Sequence, residues 1–154
     1  MGNLEGDIVI KLVSKLVGPA LKPQMTLTLP WEQRVKSRQR VVLDNGREAG
    51  VFLPRGGVLN HGDILVSEDD MLVQVCAAEE KISTVLCDNP LVMARACYHL
   101  GNRHAEIEIA LGRIRYLQDS VLDTMMRGFG LEVVIEQAPF EPEAGAYAGG
   151  HHHG

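Results

Sequence analysis

Six histidines stand among the 154 residues: His61, His99, His104 and the run His151, His152, His153. Neutral imidazole suits Ni(II), Cu(II), Zn(II) and Fe(II), and a short histidine tract can capture such ions. On residue type alone the terminal run reads equally well as a purification scar or as a native chelator. A single histidine is a weak ligand set, because a transition metal wants about four donors. A two-fold dimer doubles every residue across its axis, so one exposed histidine beside that axis would supply two ligands. His104, in the stretch His99-Leu100-Gly101-Asn102-Arg103-His104, is the candidate for that position. His99 is expected to be packed or exposed rather than a ligand, and His61 to be a solvated loop residue.

Other chemistry is thinly represented. The chain has no GxSxG, no phosphate-cradling GxxxxGK[ST], no HExxH, and no cysteine–histidine pair at a family-type spacing. Catalysis is not expected. Cys76, Cys87 and Cys97 are odd in number, widely spaced and outside any CxxC pair, so reduced thiols in a cytoplasmic setting fit better than a disulfide framework. Arg34, Lys36, Arg38 and Arg40 alternate. If extended they share one face, a surface that could attract an acidic partner. No tyrosine or phenylalanine interleaves them, and the formal net charge is −5, so a nucleic-acid platform is not expected. No apolar run approaches the roughly 18 residues that span a bilayer, and the first residues lack the layout of a signal peptide. With 45% hydrophobic and 23% charged residues, the composition is that of a globular protein without a membrane segment.

The elements that must position these residues fall into two patterns. Up to about Ala78 the chain reads as six short strands with no convincing helix. They are Asp7–Val17, Gln24–Leu29, Arg38–Leu43, Glu48–Leu53, Ile64–Ser67 and Leu72–Ala77. Asn45-Gly46 between the third and fourth is a strong hairpin signal, since both residues accept positive φ. The second pattern is a strand at Ile82–Cys87, then a helix opened by Asn89-Pro90, with Met93, Ala94, Cys97 and Leu100 on one stripe. Gly101 closes that helix. Strands at Glu106–Ala110 and Arg113–Leu117 follow. A helix capped by Ser120, with Asp123 at the reaching position, carries Val121, Leu122, Met125, Met126 and Phe129. Leu131–Gln137 is the last strand.

The order strand, helix, strand, strand, helix, strand is the ferredoxin-like βαββαβ arrangement. It requires an antiparallel four-stranded sheet with both helices on one face. The fold class is therefore α+β: an all-β domain over 1–77, a ferredoxin-like domain over 78–140, and a histidine-containing tail over 141–154 too poor in apolar residues to order itself.

Longer stretches carry a family resemblance. Asn102-Arg103-His104 and Pro139-Phe140-Glu141-Pro142-Glu143-Ala144-Gly145-Ala146-Tyr147, leading into the histidine run, resemble the UreE family of urease accessory metallochaperones. So do Gln33-Arg34-Val35-Lys36-Ser37-Arg38, Leu53-Pro54-Arg55-Gly56-Gly57 and Gly62-Asp63-Ile64-Leu65-Val66. The likeness covers nearly the whole chain. It implies a β domain that binds a partner or peptide, followed by a ferredoxin-like domain that dimerises and holds metal. It further implies a nickel carrier, with Ni(II) bound at the dimer interface by His104 and extra ligands from His151, His152 or His153. The metal would pass to a UreG-type accessory GTPase and the apo-urease complex. The resemblance favours a native histidine run.

Two departures bear on stoichiometry. Some family members carry histidines just before the second helix, where this chain has Tyr116-Leu117-Gln118-Asp119-Ser120, and some have many more terminal histidines. One or a few ions per dimer are expected, with no peripheral site. Zn(II) and Cu(II) could compete, whereas the hard ion Mg(II) should not. Imidazole must be neutral to bind, and its reference pKa is about 6.5, so binding should weaken below neutrality. The rival reading is a protein- or peptide-interaction module in which the histidines are incidental.

Overall fold

Strict alternation makes strands of most of the first half. The computed structural model describes residues 10–17 and 21–144. Within them, β1 (Ile10–Lys15), β2 (Met25–Leu29), a four-residue helix α1 (Trp31–Arg34), β3 (Arg38–Val42), β4 (Glu48–Phe52), β5 (Ile64–Ser67) and β6 (Leu72–Ala77) follow in order. The six strands form one sheet, ordered β2-β6-β5-β1-β4-β3. β1 runs parallel to β4 and β2 parallel to β6, and the other pairs are antiparallel. The expected hairpin joins β3 to β4, and Gly46 takes φ +89° in its turn. Residues Asp7 to Val9 of the expected first strand lie outside the described residues.

The turn also draws the two ends of the sheet together. Asp44 donates its N–H to the carbonyl of Thr26 at 3.0 Å. Its carboxylate accepts the Thr26 hydroxyl at 2.6 Å, the Thr28 hydroxyl at 2.7 Å and the Thr28 N–H at 3.2 Å. The Thr26 hydroxyl, helped by Thr28 and opposed by partial burial, holds this carboxyl below its ordinary value. The inward residues Ile10, Leu12, Leu27, Leu43, Val51, Leu59, Leu65, Val73 and Val75 make the core of this nearly closed sheet.

Two expectations fail here. Trp31–Arg34 is a helical turn, not extended chain, because Pro30 ends β2 and its carbonyl accepts the N–H of Arg34. Arg34 consequently does not share a face with Lys36, Arg38 and Arg40. It is completely buried, lies over the Trp31 ring, and donates from Nε to Leu29 O at 3.1 Å.

Between Ala77 and Ala78 the chain passes into a second unit. It contains β7 (Glu79–Leu86), α2 (Pro90–Asn102), β8 (Glu108–Ala110), β9 (Arg113–Leu117), α3 (Ser120–Gly128) and β10 (Glu132–Pro139). Its sheet is antiparallel throughout and ordered β10-β7-β9-β8, the ferredoxin-like topology. Val85, Ile114, Tyr116 and Val133 share one face of it. Leu100 and Ala96 from α2, and Met126 and Leu122 from α3, pack there in a single apolar cluster. Both helices thus lie on one side.

The helix stripes differ by one residue each from the sequence expectation. On α2 the buried alanine is Ala96, while Ala94 is exposed, since Met93, Ala96, Cys97 and Leu100 keep the helical period. On α3, Val121 is exposed. That helix is capped by Asp119, whose carboxylate accepts from Val121 N at 2.8 Å and Leu122 N at 3.0 Å. Asp123 does not reach back to the cap. It turns into the core and accepts from Ser83 Oγ at 2.6 Å, Tyr116 Oη at 2.7 Å and Gln118 Nε2 at 3.0 Å.

Candidate metal centre

His104 is placed by the way α2 starts and stops. Asn89 caps the start, accepting from Leu91 N at 2.9 Å and Val92 N at 3.1 Å, with Pro90 supplying a first position that needs no N–H. At the far end the helix runs through Gly101 to Asn102, so Gly101 is not its terminating glycine. Arg103 follows as the cap residue. The N–H of His104 then donates to Gly101 O at 2.9 Å, and the N–H of Ala105 to Leu100 O at 3.1 Å. Ala105 packs on the same apolar cluster as Leu100. This paired closure requires the residue after the cap to be left-handed, and His104 has φ +58°.

α3 ends in the same way with the usual residue type. Gly130 donates to Arg127 O at 2.9 Å, Leu131 donates to Met126 O at 3.2 Å, and Gly130 has φ +80°. Two helices of one domain therefore share a C-terminal geometry, one with glycine and one with histidine at its left-handed position. Glycine adopts that conformation freely, whereas a residue with Cβ is strained by roughly 1–2 kcal/mol. His104 is exposed on the turn so formed.

The other histidines of the described residues are occupied differently. His99, partly buried near the end of α2, lies with its ring 5.2 Å from Tyr98 and 5.1 Å from Phe129. His61, exposed in a turn of the β domain, accepts the N–H of Ala77 on Nδ1 at 3.0 Å. Among the described residues no group of three or more His, Cys, Asp or Glu side chains could hold a metal ion. Within one chain's described residues His104 thus has no cluster of such donors around it, and a metal held there would need donors from residues beyond them or from another molecule. His151, His152 and His153 lie outside the described residues.

The chain's route toward those three histidines is described up to Ala144. Phe140 is fully buried. Past it, the N–H of Glu141 donates to Glu108 Oε1 at 2.9 Å, and the N–H of Glu143 donates to Ile107 O at 2.7 Å. The segment that leads to the histidine run is thereby held against the residues that follow His104. Sequence reasoning misses this docking, because its partners lie 33 positions apart. It also misses the left-handed backbone of His104, for which a signal exists. Leu100 and Ala105 are an apolar pair at the spacing that accompanies this closure, with no glycine between the cap residue and Ala105.

On the sheet face opposite the helices, Glu108 Oε2 lies 3.0 Å from Arg113 and 3.8 Å from Arg115, and Arg115 reaches Glu136 at 3.3 Å. The hydroxyl of Thr84 donates to Glu136 and, with Arg115, holds that carboxyl below its ordinary value. Burial raises the thiol of Cys97 on α2 above its ordinary value, which disfavours it as a thiolate ligand.

Known proteins resemble this chain along both units. The family model for the UreE urease accessory protein, N-terminal domain, matches residues 9–78, and that for the C-terminal domain matches residues 80–154. The urease accessory protein UreE of Alkalilimnicola ehrlichii is 61% identical over 124 residues, covering 80% of this chain and 76% of that protein. That of Proteus mirabilis is 53% identical over 128 residues, covering 83% and 80%. That of Citrobacter koseri is 56% identical over 133 residues, covering 84% and 88%.

Proposed function

The chain belongs to the UreE family of urease accessory proteins, and on that premise we propose that it carries Ni(II) as cargo for the urease active site. Membership makes it an accessory protein of urease maturation rather than an enzyme. The finer reading is that His104 binds the ion at the interface of a homodimer. His151, His152 and His153 complete the coordination, and the metal is handed to a UreG-type accessory GTPase and the apo-urease complex.

The observation that carries this reading is the conformation of His104. A histidine kept at a left-handed helix terminus, where the neighbouring helix uses glycine, is a local cost that stability does not explain. Such costs concentrate at functional positions. The isolation of His104 among the described residues favours a shared site, since a two-fold axis would double it. Leu91 and Tyr98, seven positions apart on the outer face of α2, are 58% and 65% exposed, and supply apolar surface for such a contact. The family match through residue 154 takes in the histidine run and favours its being native.

Handover follows from the kind of ligand set. Residue 151 lies eight positions beyond Glu143, which allows a reach of roughly 27 Å when extended. Donors on separate segments can leave one at a time, so an acceptor's ligands can replace them singly while the ion stays bound. Imidazoles favour Ni(II), Zn(II) and Cu(II) over Mg(II). No helix among the described residues is long and apolar enough to cross a membrane. We place the protein in the cytoplasm, a reading that its three unpaired cysteines support. The β domain would present Lys36, Arg38 and Arg40 to the partner.

Reconstituted urease activation tests the proposal. Nickel-loaded wild-type protein added to apo-urease with its accessory proteins should raise urease activity above that obtained with the same nickel supplied with the His104→Gly variant. Equal activation by both would reject delivery through His104.

A further inference from the structure

In the β domain, β1 and β4 run side by side and then part. Their parallel pairing sets Ile10 beside Ala49, Lys11 beside Gly50 and Leu12 beside Val51, and goes no further. β1 shifts register between Leu12 and Ser14 and continues along β5, with Ser14 opposite Val66 and Lys15 opposite Leu65. Such an irregularity bends a strand and re-aims it. Past Phe52 the other strand is drawn elsewhere, for Leu53 donates its N–H to Ser37 O at 2.9 Å. The fork so opened is a cleft of about 390 Å³, with Val13–Lys15 on one wall and Leu53–Gly57 on the other.

The walls combine an apolar surface with features that suit an anion. Val13 is 37% exposed although β1 is an interior strand, and Leu53 lies across from it. Gly56 and Gly57 present main chain instead of side chains. Among the described residues the N–H groups of Arg55, Gly56 and Gly57 have no acceptor, and Gly56 takes φ +87°. Successive N–H groups in such a turn form a concavity suited to an anion. Lys15 and Arg55 line the cleft and no carboxylate does. Lys15 is committed to Asp63 at 3.1 Å and Val58 O at 2.5 Å, whereas Arg55 is exposed and has no ion pair among the described residues.

We infer that this cleft docks the C-terminus of a partner chain that ends in an apolar residue. The last side chain lies against Val13 and Leu53, and the terminal carboxylate takes Arg55 and the N–H groups of the glycine turn. A chain end is the fitting occupant because pairing closes the fork at Leu12 and Val51, so a segment enters the cleft but does not run through it. A terminal residue also carries its carboxylate and its apolar side chain on one Cα, as the two kinds of lining require. Hydrogen bonds from N–H groups to a carboxylate are roughly twice as strong as those between neutral groups. Capture of a terminal carboxylate by main-chain donors is a recurring mode of peptide recognition. Nickel binding at His104 plays no part in it.

The test applies fluorescently labelled full-length protein to an array of peptides with free C-termini, their last three residues varied, and to the same array with C-terminal amides. Peptides ending in Val, Leu or Ile should bind about tenfold more tightly as acids than as amides. Arg55→Glu should abolish that preference, and Arg55→Lys should keep most of it. Because Arg55 is exposed, both variants should unfold at the wild-type urea midpoint. Arg40→Glu, which removes an exposed cation of β3 outside the cleft, should bind as the wild type does. No binding to any free-carboxylate peptide would overturn the site. Equal binding of acids and amides would also overturn it, and would mark an added strand instead. So would an equal loss in Arg55→Glu and Arg40→Glu, since general charge attraction would then account for the binding.

Discussion

The N–H of His104 donates to the carbonyl of Gly101 at 2.9 Å, and that bond holds a histidine at φ +58°, where Gly130 stands in the corresponding bond of α3. On the proposed reading of His104 as a nickel ligand, stability and function make opposite demands on this position. Glycine would relieve the strain, so His104→Gly should raise the urea midpoint by the equivalent of up to about 1 kcal/mol, while His104→Val should lower it by about 1 kcal/mol or more. Equilibrium urea unfolding of the three proteins checks this. A destabilised glycine variant would mean the imidazole makes contacts worth more than the strain.

Asp123 is a second place where a side chain serves another purpose than its spacing suggests. Burial pushes its carboxyl up, but donors from Ser83, Gln118 and Tyr116 and the charge of Arg127 outweigh burial and hold it below its ordinary value. Burial, together with the Asp123 carboxylate, drives the Tyr116 hydroxyl the other way, well above its ordinary range. A carboxyl depressed in the folded state contributes stability above its unfolded pKa, about 3.9, and loses it as pH falls through the lower folded value. Asp44 acts with the same sign. Urea midpoints should therefore fall steeply below about pH 4. Asp123→Asn should cost about 2–3 kcal/mol at neutral pH and make the acid limb shallower. An unchanged acid limb in that variant would assign the acid sensitivity elsewhere.

Arg34 and Arg40 separate packing from partner contact. Arg34 is fully buried and donates to Leu29 O and, at 3.5 Å, to Leu59 O. Arg34→Ala should cost about 3 kcal/mol, visible as a lowered melting temperature. Arg40 is exposed on β3, and Arg40→Glu should change stability by less than about 0.5 kcal/mol. If the basic surface meets the GTPase, that reversal should weaken the complex in a salt-dependent way. Undiminished binding in a pull-down would remove Arg40 from the contact.

Tyr98 offers a direct look at assembly. If the outer face of α2 meets a second copy, Tyr98→Glu should shift light-scattering mass from dimer toward monomer, because a charge would be trapped in an apolar contact. A Tyr98→Glu protein that stays dimeric would put the interface on another face.

Much of this architecture is legible in the sequence. Period-two alternation locates ten strands, and Ile64–Ser67, Leu72–Ala77 and Arg113–Leu117 agree to the residue with expectation. The departures share one cause: a local pattern that three-dimensional packing reassigns. Arg34 has the spacing of the first member of an alternating cationic stripe, but Pro30 ends β2 and starts one helical turn that carries it inside. Ser120 and Asp123 have the spacing of a capping box. Asp119 takes the cap, and Asp123 answers Ser83, a residue 40 positions away that no local pattern reveals. At the candidate centre, the Asn102-Arg103-His104 motif points to the histidine. The strain at that histidine and the docking of Glu141 on Glu108 arise from hydrogen bonds that no motif spells out.

Calorimetric titration of Ni(II) into metal-free protein near neutral pH, with wild type beside His104→Gly, is the sharpest test of His104 as the shared nickel ligand. The glycine variant removes the imidazole without imposing backbone strain. A tight site at about one ion per dimer is expected in the wild type, and its loss in a variant that remains folded and dimeric. An equally tight site in both proteins would contradict this and leave His104 as a strained but incidental helix terminus.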